Sequence, residues 1–219
     1  IPESPGSDVN PPTPPPAQFA MAATRYFHQY GIPYEQGKRT LAQIAQKNHH
    51  NGSLNPRAHF QREISIDQVV DAPMIAWPLG LFDCCGVSDG AAAAIITTPE
   101  IAKTFRQDYI LVKGLGLSVG AVGILRDDWD FTHFPESVHA SQAAYQEAGI
   151  SDPLQDLDLA MVHDCFTITE LIIYEDLGFS SRGDASRDVE RGTFSLEGEL
   201  PVNTDGGLKC FGHPIGASG

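Results

Sequence analysis

Apolar residues recur at helical spacing in four stretches of the chain. In PAQFAMAATRYFHQYG, Phe19, Ala22, Ala23, Tyr26 and Phe27 fall on one side of a 3.6-residue wheel, and Gly31 supplies a stop. In YEQGKRTLAQIAQKNHH, Leu41, Ile44 and Ala45 share a face and predict a short helix; the Asn-Gly and Asn-Pro steps of NGSLNPRAHF then predict turns. ESVHASQAAYQEAGI reads as a helix stopped by Gly149. CFTITELIIYEDLGF reads as another, with Ile168, Leu171, Ile172 and Leu177 near one stripe and Gly178 as its left-handed terminator.

Other stretches carry strand patterns. DLDLAMVHD predicts a strand, and YILVKGLGLSVGAVGIL a strand pair broken by glycines. MIAWPLGLFDCCGVSDGAAAAIITT mixes apolar runs with small residues. Strands alternating with helices predict an α/β fold. No internal repeat is visible, and residues 1–16, with seven prolines, read as a stiff extended segment.

Composition narrows the class. At 219 residues and 42% hydrophobic, the chain can bury a core as one large domain or two smaller halves. A formal charge of −14 argues against nucleic acid as a general partner, because phosphate backbones demand cationic surface. No apolar run approaches the roughly 20 residues that span a bilayer. The N-terminus lacks the basic and hydrophobic regions of a signal peptide, and it begins with Ile, so the chain is expected to be a piece of a longer protein. Four cysteines, two of them adjacent, do not make a disulfide framework for this length and are expected as reduced thiols in an intracellular protein.

Charge is unevenly spread. From Lys38 to Arg62 there are five Lys/Arg, three histidines and no acid, whereas Asp127 to Asp205 carries eighteen acids against three arginines. Such a cationic island either binds a small anion by local focusing or pairs with acids brought in by the fold. Within it, Lys47, His49, Asn51 and Arg57 are the candidate anion contacts.

Two compact clusters carry candidate chemistry. HDCF, His163 to Phe166, lies at a strand-to-helix junction, where a side chain points into the crevice at the carboxyl end of an open sheet. CFGHP, Cys210 to Pro214, fixes His213 between a proline and Gly212, beside which a backbone can approach a ligand closely. Three readings compete. His163, Cys165, Cys210 and His213 are nominally four zinc ligands, though His-x-Cys is tighter than the usual spacing and no CxxC knuckle is present. Each histidine alone reads by default as a hydrogen-bonded core residue. Together they suit acid/base and oxyanion chemistry, in which neutral imidazoles donate to a thioester oxygen and take a thiol proton.

VHDCFTITELIIYEDLGF followed by LPVNTDGGLKCFGHPIGASG resembles the thiolase superfamily, in particular its sterol-carrier-protein-x branch, which has HDCF where ordinary thiolases have Asn-Glu-Ala-Phe. AQFAMAATRYF, KNHHNGSLNPRAHFQ and DCCGVSDGAAAAI resemble further segments of that branch in the same order, so the likeness runs from about residue 17 to the end. The resemblance implies an α/β fold of two similar halves, each a mixed five-stranded sheet between helices. Residues 1–118 then match the latter part of the first half, with an inserted CoA-contacting region at about 29–78, and 119–219 match most of the second.

The implied activity is acyl transfer: Claisen condensation or thiolysis of CoA thioesters through an acyl-cysteine, with a steroid-CoA retro-aldolase or a non-catalytic acyl-CoA-binding homologue as the alternatives. His213 matches the histidine that activates the nucleophile and His163 the position that stabilises an enolate oxygen. Cys165, Phe166 and Gly212 would line the substrate, and Lys47, His49, Asn51 and Arg57 would meet CoA. Coenzyme A or acetyl-CoA enters as substrate, and neither a bound cofactor nor a metal is expected. A homodimer or tetramer, and a small OB-fold partner protein, are the implied associations. The implied location is the cytoplasm, or the peroxisome in a eukaryote. The family nucleophile would lie upstream of Ile1 and its second cysteine, in a Cys-x-Gly motif, beyond Gly219. On this reading the piece alone is inactive.

Overall fold

A computed structural model describes residues 14–120 and 129–218. Helix α1 (Pro15–Gln29) opens on prolines, whose missing N–H groups cost nothing in a first turn, and buries Ala20, Ala22, Ala23, Tyr26 and Phe27. Four of those five belong to the stripe that the sequence spacing marks. Helix α2 (Tyr34–Ser53) runs for 20 residues and is longer than its periodicity predicts. Asn51 and Gly52, expected to turn, lie inside it. A Cβ on Gly52 would sit 2.4 Å from the Cys210 sulfur, so this glycine permits close packing and does not end the helix. The chain turns one step later, where the Leu54 and Asn55 N–H groups reach back to the Asn51 and Gly52 carbonyls.

Helix α3 (Ile66–Val70) begins with a reciprocal Ser65–Gln68 capping box. Strands β1 (Met74–Ala76) and β2 (Leu79–Gly80) form an antiparallel hairpin. Helices α4 (Pro99–Phe105), α5 (Pro135–Ala148), α6 (Pro153–Asp156), α7 (Thr167–Asp176), α8 (Ala185–Arg191) and α9 (Gly207–Phe211) follow. Helix α5 ends at Gly149 with φ +75°, as the sequence predicts.

Helix α7 departs from its predicted single stripe. All ten of its residues are buried, because α1, α2, α5 and α8 pack around it. A helix enclosed on every side must find partners for its charges. Lys47 Nζ lies 2.7 Å from Glu170, the Tyr26 hydroxyl donates to Glu175, and Arg182 lies 2.6 Å from Asp176. One apolar cluster joins Tyr26, Leu41 and Ile44 to Ile168, Leu171, Ile172 and Phe194, so residues from both sides of the expected boundary near 118 share a core.

The expected five-stranded sheets are not formed among the described residues, where β1–β2 is the sheet present. The predicted strand 156–164 is bridged at Ala160–Val202, and its first residue, Asp156, closes helix α6. Segment 106–120 has no ladder partner, and Ile110, Val112, Leu117 and Val119 are exposed. Its continuation through 125, like the proline-rich opening through 13, lies outside the described residues. Apolar patterning gives a segment the capacity to pair, but a sheet needs the neighbour as well.

Candidate active site

His163 and His213, fifty residues apart in sequence, meet edge-to-face with ring centroids 4.9 Å apart. Extended segment 84–88 holds the two stretches together. Cys84 bridges antiparallel to Phe166, the Cys85 N–H donates to the Cys165 carbonyl at 2.9 Å, Val87 bridges parallel to His213, and the His213 N–H donates to the Gly86 carbonyl at 2.7 Å. Gly212, with φ +85°, allows the final approach, since a Cβ there would lie 2.6 Å from Ser88 Oγ. The histidines therefore sit at a three-stretch junction, although no continuous sheet carries them.

Hydrogen bonding ties the His213 ring to its own loop. Nδ1 and Ser218 Oγ share a hydrogen bond at 2.7 Å, and Ser218 Oγ also lies 3.2 Å from the Pro214 carbonyl. When Nδ1–H donates that bond, Nε2 carries the lone pair that a base acting on a thiol needs. His163 keeps solvent exposure and meets His213 edge-to-face. Partial desolvation, then the neighbouring His213, lower its pKa, so it stays a neutral N–H donor at neutral pH. A neutral donor beside a base suits a carbonyl oxygen that gains negative charge. An apolar cavity of about 470 Å³ opens beside His163, with Ala140, Ala144, Met161, Val162 and Phe179 in its wall.

The thiols are not activated. Burial pushes Cys165 up to about 11 and Cys210 up to about 12, and it raises Cys84 and Cys85 as well. Because the thiolate is the nucleophile, all four environments oppose that role. The zinc set allowed by spacing is not assembled: Cys165 Sγ faces Thr169 Oγ1 at 3.6 Å, while Cys210 Sγ donates to the Asn48 carbonyl at 3.4 Å. Among the described residues, no three His, Cys, Asp or Glu side chains are grouped to hold a metal ion.

Residues 123–218 match the family model described as Thiolase C-terminal domain-like. An acetyl-CoA acetyltransferase of Methanothermobacter thermautotrophicus is 39% identical over 204 residues, covering 93% of this chain and 51% of that protein. The rabbit (Oryctolagus cuniculus) sterol carrier protein 2 is 33% identical over 219 residues, covering 93% of this chain and 37% of that one. The chain belongs to the thiolase superfamily. Among solved structures, the Ltp2-ChsH2(DUF35) aldolase superposes with a TM-score of 0.81 at 28% identity, covering 93% of this chain and 53% of that one. The fold is thus thiolase-like, helix-rich with a small sheet, and this thiolase-superfamily chain spans about half the length or less of the curated relatives it matches.

The remaining candidates are placed as follows. Cys165 and Phe166 are buried, and Phe166 stacks on Phe19 at 4.5 Å, so both support the histidines from the core side. Lys47 donates to Glu170 and to the Val202 carbonyl at 2.8 Å, and Asn51 donates to the Asn203 carbonyl at 2.9 Å. His49 is buried with Nδ1 against the Arg62 carbonyl at 3.2 Å. Arg57 is exposed. Much of the acid-free island is therefore paired internally: Lys38 with Asp83, and Lys47 with Glu170.

Sequence reasoning missed Asp164, the second residue of HDCF. Its buried carboxylate accepts from the backbone N–H groups of Leu208, at 2.7 Å, and Lys209, at 3.2 Å, and from Asn48 Nδ2, at 3.0 Å. Gly206 and Gly207, just ahead of these amides, both take positive φ, and a Cβ on Gly207 would lie 2.5 Å from Asp164 Oδ2. The adjacent glycine pair was the available signal. No helix among the described residues is long and apolar enough to cross a membrane.

Proposed function

We propose that this chain supplies the two-histidine half of an acyl-CoA C-acyltransferase that makes or breaks a carbon–carbon bond of a CoA thioester through an acyl-cysteine. The convergence of His163 and His213 carries this reading. His213, with Nδ1–H donated to Ser218 and Nε2 acting as the base, takes the proton of an attacking thiol, and neutral His163 donates to the oxygen of the enolate. Burial raises all four thiols here, which supports a nucleophile supplied by sequence outside these 219 residues. The thioester end lies at the histidines and the nucleotide end of CoA near exposed Arg57, while Lys47, His49 and Asn51 shape that region from inside.

In the protein extended to the length of its relatives, His213→Ala is expected to lower kcat/KM for CoA-dependent thiolysis of a 3-oxoacyl-CoA by about 10²–10⁴-fold, the usual worth of a placed general base. Turnover close to that of the unaltered enzyme would reject the role.

The 0.81 superposition on an Ltp2-ChsH2(DUF35) aldolase supports a second reading: retro-aldol cleavage of a CoA-linked side chain, with a small OB-fold protein as partner. The two reactions separate cleanly, because thiolysis consumes free CoA as co-substrate and aldol cleavage does not.

A further inference from the structure

The stretches bearing His163 and His213 have no covalent link nearer than fifty residues, so their register depends on what lies between them. We propose that Asp164 is a positioning residue whose ionised carboxylate sets the distance between the two imidazoles. It directly follows His163 in the chain. Its two backbone donors, Leu208 and Lys209, precede His213 by five and four residues, so one carboxylate holds both stretches. Gly207 leaves no room for a side chain between the loop and the carboxylate, since a Cβ there would lie 2.5 Å from Asp164 Oδ2.

Stability alone does not account for this carboxylate. Its pKa is raised to about 6 from an ordinary 3.8, first by burial and second by Glu170. A carboxyl whose folded pKa is raised lends stability below about pH 4 and loses it as pH rises through about 6, so at neutral pH the ionised group costs the fold free energy. A charge kept at such a cost points to function.

Protonation would break the arrangement. The three partners of Asp164 are all N–H donors, so a proton on either oxygen meets a donor. The groups around it are Glu170 and Tyr174 of α7, Lys209 and Cys210 of α9, and Cys85 and Cys165. Asn48 bridges Asp164 to Glu170, at 2.6 Å, and its own buried Oδ1 has no partner. A half-turn of that amide would offer the protonated acid an acceptor, and the neutral carboxyl would accept more weakly from the Leu208 and Lys209 N–H groups, loosening the contact to the His213 stretch.

The test is the nuclear Overhauser effect between the His163 and His213 ring protons, followed alongside the Asp164 carboxyl carbon from about pH 8 to about pH 5. The effect is expected to weaken as that carboxyl titrates, and to be weak throughout in Asp164→Asn, whose amide cannot accept from the Leu208 and Lys209 N–H groups through both terminal atoms. Protonation of the histidines themselves would also part the rings, but its midpoint would not depend on Asn48. In Asn48→Ala the midpoint is expected to move to higher pH, because a donor to the charged form is gone. Unaltered ring contact in Asp164→Asn, or an unmoved midpoint in Asn48→Ala, overturns the proposal. Should Asp164→Asn fail to fold, Asn48→Ala decides alone.

The catalytic consequence rests on the acyl-transfer reading: Asp164→Asn is expected to cost about 10²-fold in kcat with KM little changed, the size of a 1 Å misplacement. The ring contact is read without substrate, so failure of the acyl-transfer assignment would leave it intact.

Discussion

Lys47 and Arg57 lie ten residues apart in the same acid-free stretch and have opposite fates. Lys47 is sequestered against Glu170, whereas Arg57 faces solvent. Charge reversal separates the two roles. Lys47→Glu sets a second carboxylate beside buried Glu170 and is expected to cost about 3–5 kcal/mol, read as a lowered midpoint in chemical denaturation. Arg57→Glu is expected to change stability by no more than about 0.5 kcal/mol. In the complete enzyme, however, it should raise KM for CoA more than KM for a pantetheine thioester lacking the nucleotide. Equal effects on both substrates would reduce Arg57 to a solvated surface residue. The sequence disclosed the cationic island, but not which cations were already paired, because their partners Asp83 and Glu170 arrive from distant segments.

Between α2 and α9 the contact is set by a missing side chain. Gly52→Ala in an exposed helix would be stabilising by up to about 1 kcal/mol through propensity. Here the new methyl would meet the Cys210 side chain, and the substitution is expected to destabilise by about 1–3 kcal/mol in a thermal or denaturant melt. A gain in stability would show that the two helices are packed more loosely than the structure has them. The helices were legible in outline because their apolar spacing is local. The true length of α2 was hidden, since Asn51–Gly52 looks the same in sequence whether it turns or packs. The full enclosure of α7 was hidden as well: its stripe showed one buried face, and only the assembled neighbours reveal that Glu170, Glu175 and Asp176 are inside too.

At the scale of the whole molecule, the HDCF and GHP stretches pointed to one site before any coordinates, and the ring contact places them together. Asp164 was not recognised because two of its three donors are backbone amides, which no side-chain pattern announces, and the third, Asn48, arrives from a distant segment. Of the expected sheets, the described residues hold the β1–β2 pair, and segment 106–120 carries strand chemistry without a described neighbour to pair with. The chain is accordingly a helical layer around α7 that delivers two imidazoles to one edge. Whether both act on the same carbonyl is open to a double-mutant cycle on kcat/KM of the complete enzyme, using His163→Ala, His213→Ala and the pair. Action on a single thioester is expected to give a coupling energy above about 1 kcal/mol, the double variant losing far less than the two single losses combined. Losses that add to within about 0.5 kcal/mol would mean that the imidazoles work independently, contrary to this account.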